Sequence, residues 1–582
     1  MIEAGAAIRK HGLAPPFAAL TAAWLALALA LISAMASAAQ VGFKGTDARF
    51  LLEDAPVFGL CAAVVMALGW APRAWLAGLA RVRLRPRIAV LALAGLTLAA
   101  GWAGERLLFH GYVLSLDEYL ANFDARIFVQ GELAAPVDPR WRAFVPAMQP
   151  IYMAPILSHA HWVSGYLPVA AAVRALASAA GLRSLVNPLL SAFAVLAVFA
   201  VARRLWPERP GLALGAAALF ASSSQLILTA MTAYAMPAHL ACNLAWLWLF
   251  LRGGRLGHAG AILVGFAACG LHQILFHPLF VAPFLLQLCL DRRWPLAGLY
   301  IIAYAAIGAF WIEFPQLELG WIGEATASGG GAGLMAERVR GFLAAAQPGN
   351  VSAMMASLVR FFSWQNPLTA PLALIGVPAA WRAKGVMQAL VLGILLTLGA
   401  MLVLEPTQTQ GWGYRYLHGL LGSVVLLAMQ AWDALTARLT DQAKAAAWGA
   451  FTLACAAGLL ALTPLRAWQA AADARPYAEV DARIRQAPEP VIVVDNQSPW
   501  FDAGTVVRND PFLRRGPKVM LLAALDEPQI RTLCAQGPVG VVDAGVMASA
   551  GVSLVATAPD PTSQRLRALM AQLNCGRPLR AG

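Results

Sequence analysis

The sequence predicts a mainly α, polytopic membrane bundle that ends in a small α/β domain. Three observations carry this. Hydrophobic residues make up 60% of the 582 and charged ones only 13%, with a mean hydropathy of +0.64, which places the chain outside the soluble single-domain class. A helix needs roughly 20 apolar residues to cross about 30 Å of hydrocarbon, and about thirteen runs approach that length, several of them short or interrupted. Basic residues, finally, fall in alternate connections between those runs.

In order, the runs are Phe17–Gln40, Pro56–Ala71, Ile88–Ala103, Asn187–Ala202, Gly211–Thr229, Pro237–Leu251, Ala259–Phe276, Pro278–Leu290, Pro295–Phe314, Asn366–Ala380, Val386–Leu404, Leu417–Ala431 and Ala446–Thr463. With the N-terminus in the cytoplasm, the cytoplasmic connections carry Arg9 and Lys10, then Arg73, Arg81, Arg83, Arg85 and Arg87, then Arg203, Arg204 and Arg209. Arg252 and Arg255, Arg292 and Arg293, Arg382 and Lys384, and Arg438 and Lys444 continue the pattern. The loop around Asp117 and everything after Thr463 are then expected outside the inner (plasma) membrane. The net charge of +13 is spread over these short turns instead of forming one stripe, so topology accounts for it and no nucleic-acid partner is expected. Ala36-Ser37-Ala38 resembles a signal-peptide cleavage site, but the apolar stretch before it is longer than a usual signal core and favours an uncleaved anchor.

Four regions follow: N-terminal spans over 1–104, a first exported loop over 105–186, the remaining spans over 187–465 with an exported loop at 316–365, and an exported domain over 466–582. Within the first loop, Ala143 to His161 and Pro168 to Gly181 read as helices lying along the membrane surface. The second loop opens on Ser328-Gly329-Gly330-Gly331, followed by an amphipathic stretch at Leu334 to Ala345 that suits a mobile cover or a plain connector. In the tail, Val491 to Asp495, Lys518 to Leu522 and Val539 to Asp543 alternate with helical stretches near Pro528 to Ala535 and Gln564 to Leu573, an α/β pattern. Cys534 and Cys575 fall in this exported part, where a disulfide between them is compatible with an oxidising compartment. Cys61, Cys242, Cys269, Cys289 and Cys455 lie in or near apolar runs and read as small apolar fillers.

The densest cluster of ionisable and aromatic residues lies between Glu105 and Trp162. Asp117 and Glu118 stand near the outer water–lipid boundary, where an apolar wall can tune a carboxylate toward proton transfer. The same spacing lets Ser115 cap a helix with Glu118 three residues on, a purely structural role.

The segment Asp117-Glu118-Tyr119, then Asp124-Ala125-Arg126-Ile127-Phe128, then Gly131-Glu132-Leu133, resembles the first exported loop of the GT-C glycosyltransferases. The likeness is to bacterial relatives of the protein O-mannosyltransferases and of the aminoarabinose and lipopolysaccharide-core sugar transferases. Val201 to Trp206, Thr232 to His239, and Gly411-Trp412-Gly413-Tyr414-Arg415-Tyr416-Leu417 are similar to further stretches of that family, so the resemblance covers about Glu105 to Gln430. Two departures stand out: two helices precede the usual first one, and His277-Pro278 stands where many relatives have Arg-Pro.

The resemblance implies a GT-C-like bundle that transfers a sugar from a polyprenyl-phosphate donor to a lipid, glycan or protein acceptor of the cell envelope, inverting the anomeric centre. It places Asp117 as the catalytic base, with Glu118 or Asp124 orienting it or sharing Mg²⁺ or Mn²⁺ with it. Arg415, Arg126, Arg140 and Arg142 are the expected donor-phosphate ligands, since a guanidinium grips phosphate through two contacts, and Tyr414 flanks the first of them. Tyr234, His239, His272 and His277 are expected to reach substrate hydroxyls, although a buried histidine also serves as a hydrogen-bonded structural group. The competing class is a transporter or lipid flippase for envelope precursors, which should hold its ionisable groups near the membrane midplane.

Overall fold

The computed structural model describes residues 15–38, 45–80, 85–148, 152–325, 349–408, 410–495, 505–552 and 560–579, with 333, 336, 340 and 341 between them. Each apolar run read from the sequence falls mostly on helix within its described residues. Helices α1 (Pro15–Ala38), α2 (Gly45–Trp70) and α3 (Pro86–Leu107) precede the acidic loop. That loop contributes α4 (Leu116–Val129) and α5 (Val169–Ala179). Then come α6 (Val186–Leu205), α7 (Pro210–Ala221), α8 (Ser224–Ala230), α9 (Met236–Arg252), α10 (Gly254–Cys269), α11 (Phe276–Leu290) and α12 (Trp294–Trp321). The bundle closes with α13 (Asn350–Ser363), α14 (Thr369–Ala383), α15 (Gly385–Leu404), α16 (Leu421–Thr436), α17 (Asp441–Ala457) and α18 (Thr463–Gln486).

Among the described residues, eight helical segments are long and apolar enough to cross a membrane, and nine if the bent pair α7 and α8 forms one span. This is a multi-pass membrane protein. The remaining runs are the shorter helices α9, α10, α11 and α14. The 59° bend between α7 and α8 has a local cause: Ser223 restarts the helix, its hydroxyl accepting the N–H of Leu226, as an N-cap residue does. Helices approach closely where a side chain is missing. A Cβ on Gly376 of α14 would lie 2.3 Å from the backbone oxygen of Leu427 in α16, so only glycine permits that contact.

One expected feature of the loops differs from the structure. Ala143 to His161 is not a surface helix: it holds a single short turn, Arg142–Phe144 then Val145–Met148, and its end pairs as a two-residue ladder, β1 (Ala135–Pro136) against β2 (His161–Trp162). Pro146 is accommodated in the first turn of Val145–Met148, whereas Pro155 lacks the backbone donor a longer helix would need. Within 316–365, α12 continues to Trp321 and α13 begins at Asn350. Ser328 to Gly331 lies outside the described residues, as does most of Leu334 to Ala345. Pro168 to Gly181 does contain a helix, α5.

The last span leads without a break into α18, so residue 466 lies inside a helix that runs on to Gln486. Beyond it, β3 (Val491–Val494), β4 (Lys518–Leu521), β5 (Val539–Val542) and β6 (Gly576–Pro578) form a parallel sheet in the order β4-β3-β5-β6. The Val-Ile-Val-Val run of β3 is continuous because both faces are covered. Val491 and Val493 pack toward α4, while Ile492 and Val494 pack toward Val480 and Ile484 of α18. Helices α19 (Glu527–Gln536), α20 (Ala544–Ser549) and α21 (Pro561–Gln572) each start on an aspartate cap. A disulfide joins Cys534 to Cys575.

Candidate active site

Helix α4 starts where Ser115 and Glu118 form a capping box. The Glu118 N–H donates to the Ser115 hydroxyl at 3.2 Å, and the Ser115 N–H to Glu118 Oε2 at 3.1 Å. The second Glu118 oxygen accepts the N–H of Ala233 at 2.9 Å, which fastens α4 to the turn before α9. Burial raises the Glu118 carboxyl above its ordinary value, and the two backbone N–H groups offset this in part. Both of its oxygens are taken by backbone, so the residue expected to orient the base instead builds the helix end.

The cap aims its neighbour. Asp117 Oδ2 lies 2.6 Å from Arg415 Nη1, the two side chains being 11% and 12% exposed. Asp117 Oδ1 accepts the Tyr166 hydroxyl at 2.5 Å. Burial alone would raise this carboxyl, but Arg415, His272 and Tyr166 outweigh it and hold it below the usual aspartate value. Asp117 is therefore ionised at neutral pH, and its partner guanidinium sits close to the predicted boundary between loop and helix.

Arg415 is itself held from several sides. Its N–H donates to Gln408 Oε1 at 2.6 Å, and Gln408 Nε2 donates to the carbonyl of Gly413 at 2.7 Å. Gln225 of α8 donates to the carbonyl of Tyr414 at 3.1 Å. Gly413 adopts a left-handed φ of 64°, and a Cβ there would meet the Gln225 side chain, so this position needs glycine. The guanidinium stands over the rings of Tyr234 and Tyr416 at 5.5 and 5.1 Å and donates from Nη2 to the Tyr416 hydroxyl at 3.2 Å. Among the described residues its Nε has no partner, which leaves a donor for an incoming anion.

Beside Arg415 runs a narrow crevice lined by Met236, His239, Asn243, Phe276, Thr397, Tyr416 and Gly419. Its volume is about 20 Å³, room for about one water and too little for a sugar. The stacked rings of Phe276 and Tyr416, 6.0 Å apart, form part of its wall, and a sugar requires the crevice to widen. The buried polar atoms of Tyr234 (Oη), His239 and His272 (both ring nitrogens each) have no hydrogen-bond partner among the described residues. Buried polar groups left unsatisfied call for a ligand or water. The His272 ring packs tilted against Tyr166, centroids 4.0 Å apart, and burial pushes its pKa down to about 4, so it is neutral at pH 7.

The other expected residues lie apart from this centre. His277 is saturated, with Nδ1 2.8 Å from Asn243 Oδ1 and Nε2 2.8 Å from the Tyr304 hydroxyl, and serves as a structural link. Tyr414 turns its hydroxyl to the carbonyl of Glu405 at 3.0 Å and supports the loop. Arg126 is exposed at the far end of α4. Arg142 donates to the carbonyl of Val137, and Arg140 pairs with Asp138 at the surface. Asp124 accepts both the N–H and the hydroxyl of Ser164, and burial raises it to about 6. Asp117, Glu118 and Asp124 thus face three different partners and do not fit a shared Mg²⁺ or Mn²⁺ site. Among the described residues no three His, Cys, Asp or Glu side chains gather as one.

Sequence reasoning missed two groups. Tyr166 and Gln408 act through tertiary contact and carry no local signal. The second is a buried charge node in which Asp54 of α2 meets Arg466 of α18 at 2.7 Å and accepts from Trp364 Nε1 at 2.8 Å. Arg360 of α13 lies 3.8 Å from Asp54 and also donates to the carbonyl of Gly411, tying this node to the Arg415 loop. An aspartate bordering an apolar run was the available signal.

No family model and no curated protein matches the chain. Among solved structures it is similar to the aminoarabinose transferase ArnT from Cupriavidus metallidurans in the apo state, at 13% identity over 74% of this chain and 85% of that one, with a TM-score of 0.43. The same enzyme bound to undecaprenyl phosphate gives 12% identity over the same shares and a TM-score of 0.42. The archaeal oligosaccharyltransferase AglB from Archaeoglobus fulgidus, in complex with an inhibitory peptide and a dolichol-phosphate, gives 13% identity over 74% of this chain and 64% of that one, with a TM-score of 0.38. At 12–13% identity, any assignment of chemistry has to rest on this chain's own side chains.

Proposed function

We propose that this protein is an integral-membrane glycosyltransferase that moves a sugar from a polyprenyl-phosphate donor to an envelope acceptor on the extracytoplasmic face. The observation that carries the reading is the Asp117–Arg415 pair, 2.6 Å apart and nearly buried, next to unpartnered Tyr234, His239 and His272. A flippase reading fits less well, because this pair sits at the ends of the helices and not at their middle.

In this mechanism the donor phosphate takes Arg415, using the free Nε and displacing Asp117 in part. Losing its counter-charge raises the basicity of Asp117 at the moment the donor is bound. Asp117 accepts the proton of the acceptor hydroxyl as that oxygen bonds to the anomeric carbon. The bond between that carbon and the phosphate oxygen breaks, and polyprenyl phosphate leaves with the electron pair, its charge held by Arg415. One displacement inverts the centre. Tyr166 fixes the carboxylate, and His272 and His239 offer neutral ring nitrogens to sugar hydroxyls.

The test is Asp117→Asn in the full chain, read as envelope glycan composition by mass spectrometry. Loss of one sugar from one glycan or glycolipid, after normalisation to the amount of folded protein, is the expected result. An unaltered envelope made by a well-folded variant rejects the assignment.

A further inference from the structure

A cavity of about 820 Å³ opens at the other end of the bundle, where α3 and α7 begin and α6 ends. Arg85 and Arg87 face it from α3, Arg203 and Arg204 from α6, and Trp248 from α9. Among the described residues none of these four arginines has a carboxylate within ion-pair distance, whereas nearby Arg209 pairs with Asp433. Positive-inside topology explains why arginines occur here, but not why four of them line one hollow without an acid. The first turns of α3 and α7 both open on proline with no side-chain cap, which adds partial positive charge to the same wall.

The surroundings indicate how the anion arrives. Trp248 is held between Arg204 and Arg252, at 5.1 and 5.9 Å, the placement of an aromatic at headgroup depth. From Ile88, which lines the cavity, the outer face of α3 continues through Leu91, the two being 57% and 61% exposed. The cationic hollow thus runs directly into an apolar surface. A free phosphate has no use for that strip, whereas acyl chains do.

We propose that this cavity binds the phosphate headgroup of an anionic phospholipid, with its chains laid along α3. The site is independent of the transferase reading. The test uses the full chain in nanodiscs of phosphatidylcholine alone and of phosphatidylcholine with cardiolipin, read by native mass spectrometry and thermal unfolding. Cardiolipin is expected to be retained in preference to phosphatidylcholine and to raise the unfolding temperature. Arg85→Gln/Arg204→Gln should weaken retention by on the order of tenfold, and Arg85→Lys/Arg204→Lys should largely keep it. Equal retention by the Gln variant and the wild type overturns the proposal, and so does inorganic phosphate matching the full cardiolipin effect. If the Gln variant does not fold, the wild type decides: cardiolipin that inorganic phosphate fails to displace supports the site, and indifference between the two lipids rejects it.

Discussion

The two ends of the bundle treat charge in opposite ways. Asp117, Glu118 and Asp124 are buried or nearly so and matched, to Arg415, to backbone N–H groups and to Ser164 respectively. Around Arg85 and Arg204 the guanidiniums are open, of one sign and, among the described residues, unmatched by acids. The two ends lie about 30 Å apart along α3. Burial with pairing sets geometry to within a hydrogen bond and suits chemistry, while open charge of one sign suits a mobile, salt-sensitive partner.

The sharpest way to break this comparison is to remove the pair at one end without leaving a stranded charge. Asp117→Asn alone strands Arg415, which in a buried pair costs about 3–5 kcal/mol. The double variant Asp117→Asn/Arg415→Met should recover most of that stability in a denaturation experiment, yet remain down by on the order of 10²–10⁴ in transfer rate. Activity returning with stability would show that the pair is structural only.

A smaller effect is expected from Tyr166→Phe. It deletes one charged hydrogen bond to Asp117, worth about 1.5–3 kcal/mol, so kcat should fall by on the order of tenfold while KM for the donor stays put. A change in KM alone would assign Tyr166 to binding.

Acid titration separates the two aspartates of α4. Asp117 sits below its ordinary 3.8, so its stabilisation is complete above that pH and is lost only as pH falls through the lower folded value. The acid limb of kcat/KM in the free enzyme should accordingly lie below pH 4. Asp124 behaves in the opposite sense. Its carboxyl is at about 6 in the fold against 3.8 unfolded, so the folded state binds the extra proton and stability declines as pH rises from 3.8 through 6. The decline amounts to about 2–3 kcal/mol, and Asp124→Asn should flatten the wild-type slope in unfolding midpoints taken between pH 4 and pH 8.

Glu118→Gln should give the smallest change in rate. One acceptor is lost from the α4 cap, costing about 1 kcal/mol, and kcat is expected to stay within about twofold of wild type. A large loss of kcat without loss of stability would return Glu118 to the chemistry.

The sequence by itself determined the class of molecule, the positions of the apolar helices and the α/β character of the tail, and it singled out Asp117 and Arg415, which the fold brings together. Those are local matters: hydropathy over one helix length, the period of a buried strand, an acid or an arginine beside aromatics at a helix boundary. It also held both readings of Glu118, and only the N–H of Ala233, 115 residues away in the chain, chose between them. Which histidines are free was decided by tertiary structure too, since His277 is satisfied by Asn243 and Tyr304 on other helices while His272 is not. Tyr166, Gln408 and the Asp54 node were invisible because their meaning lies in partners distant in sequence. Even the tail's place against α4, through the Tyr119 hydroxyl donating to Asn509 O at 2.5 Å and Trp162 Nε1 donating to Pro511 O at 2.6 Å, follows from packing that no local pattern records. A hydrogen bond has direction and needs two ends, and one stretch of sequence displays only one of them.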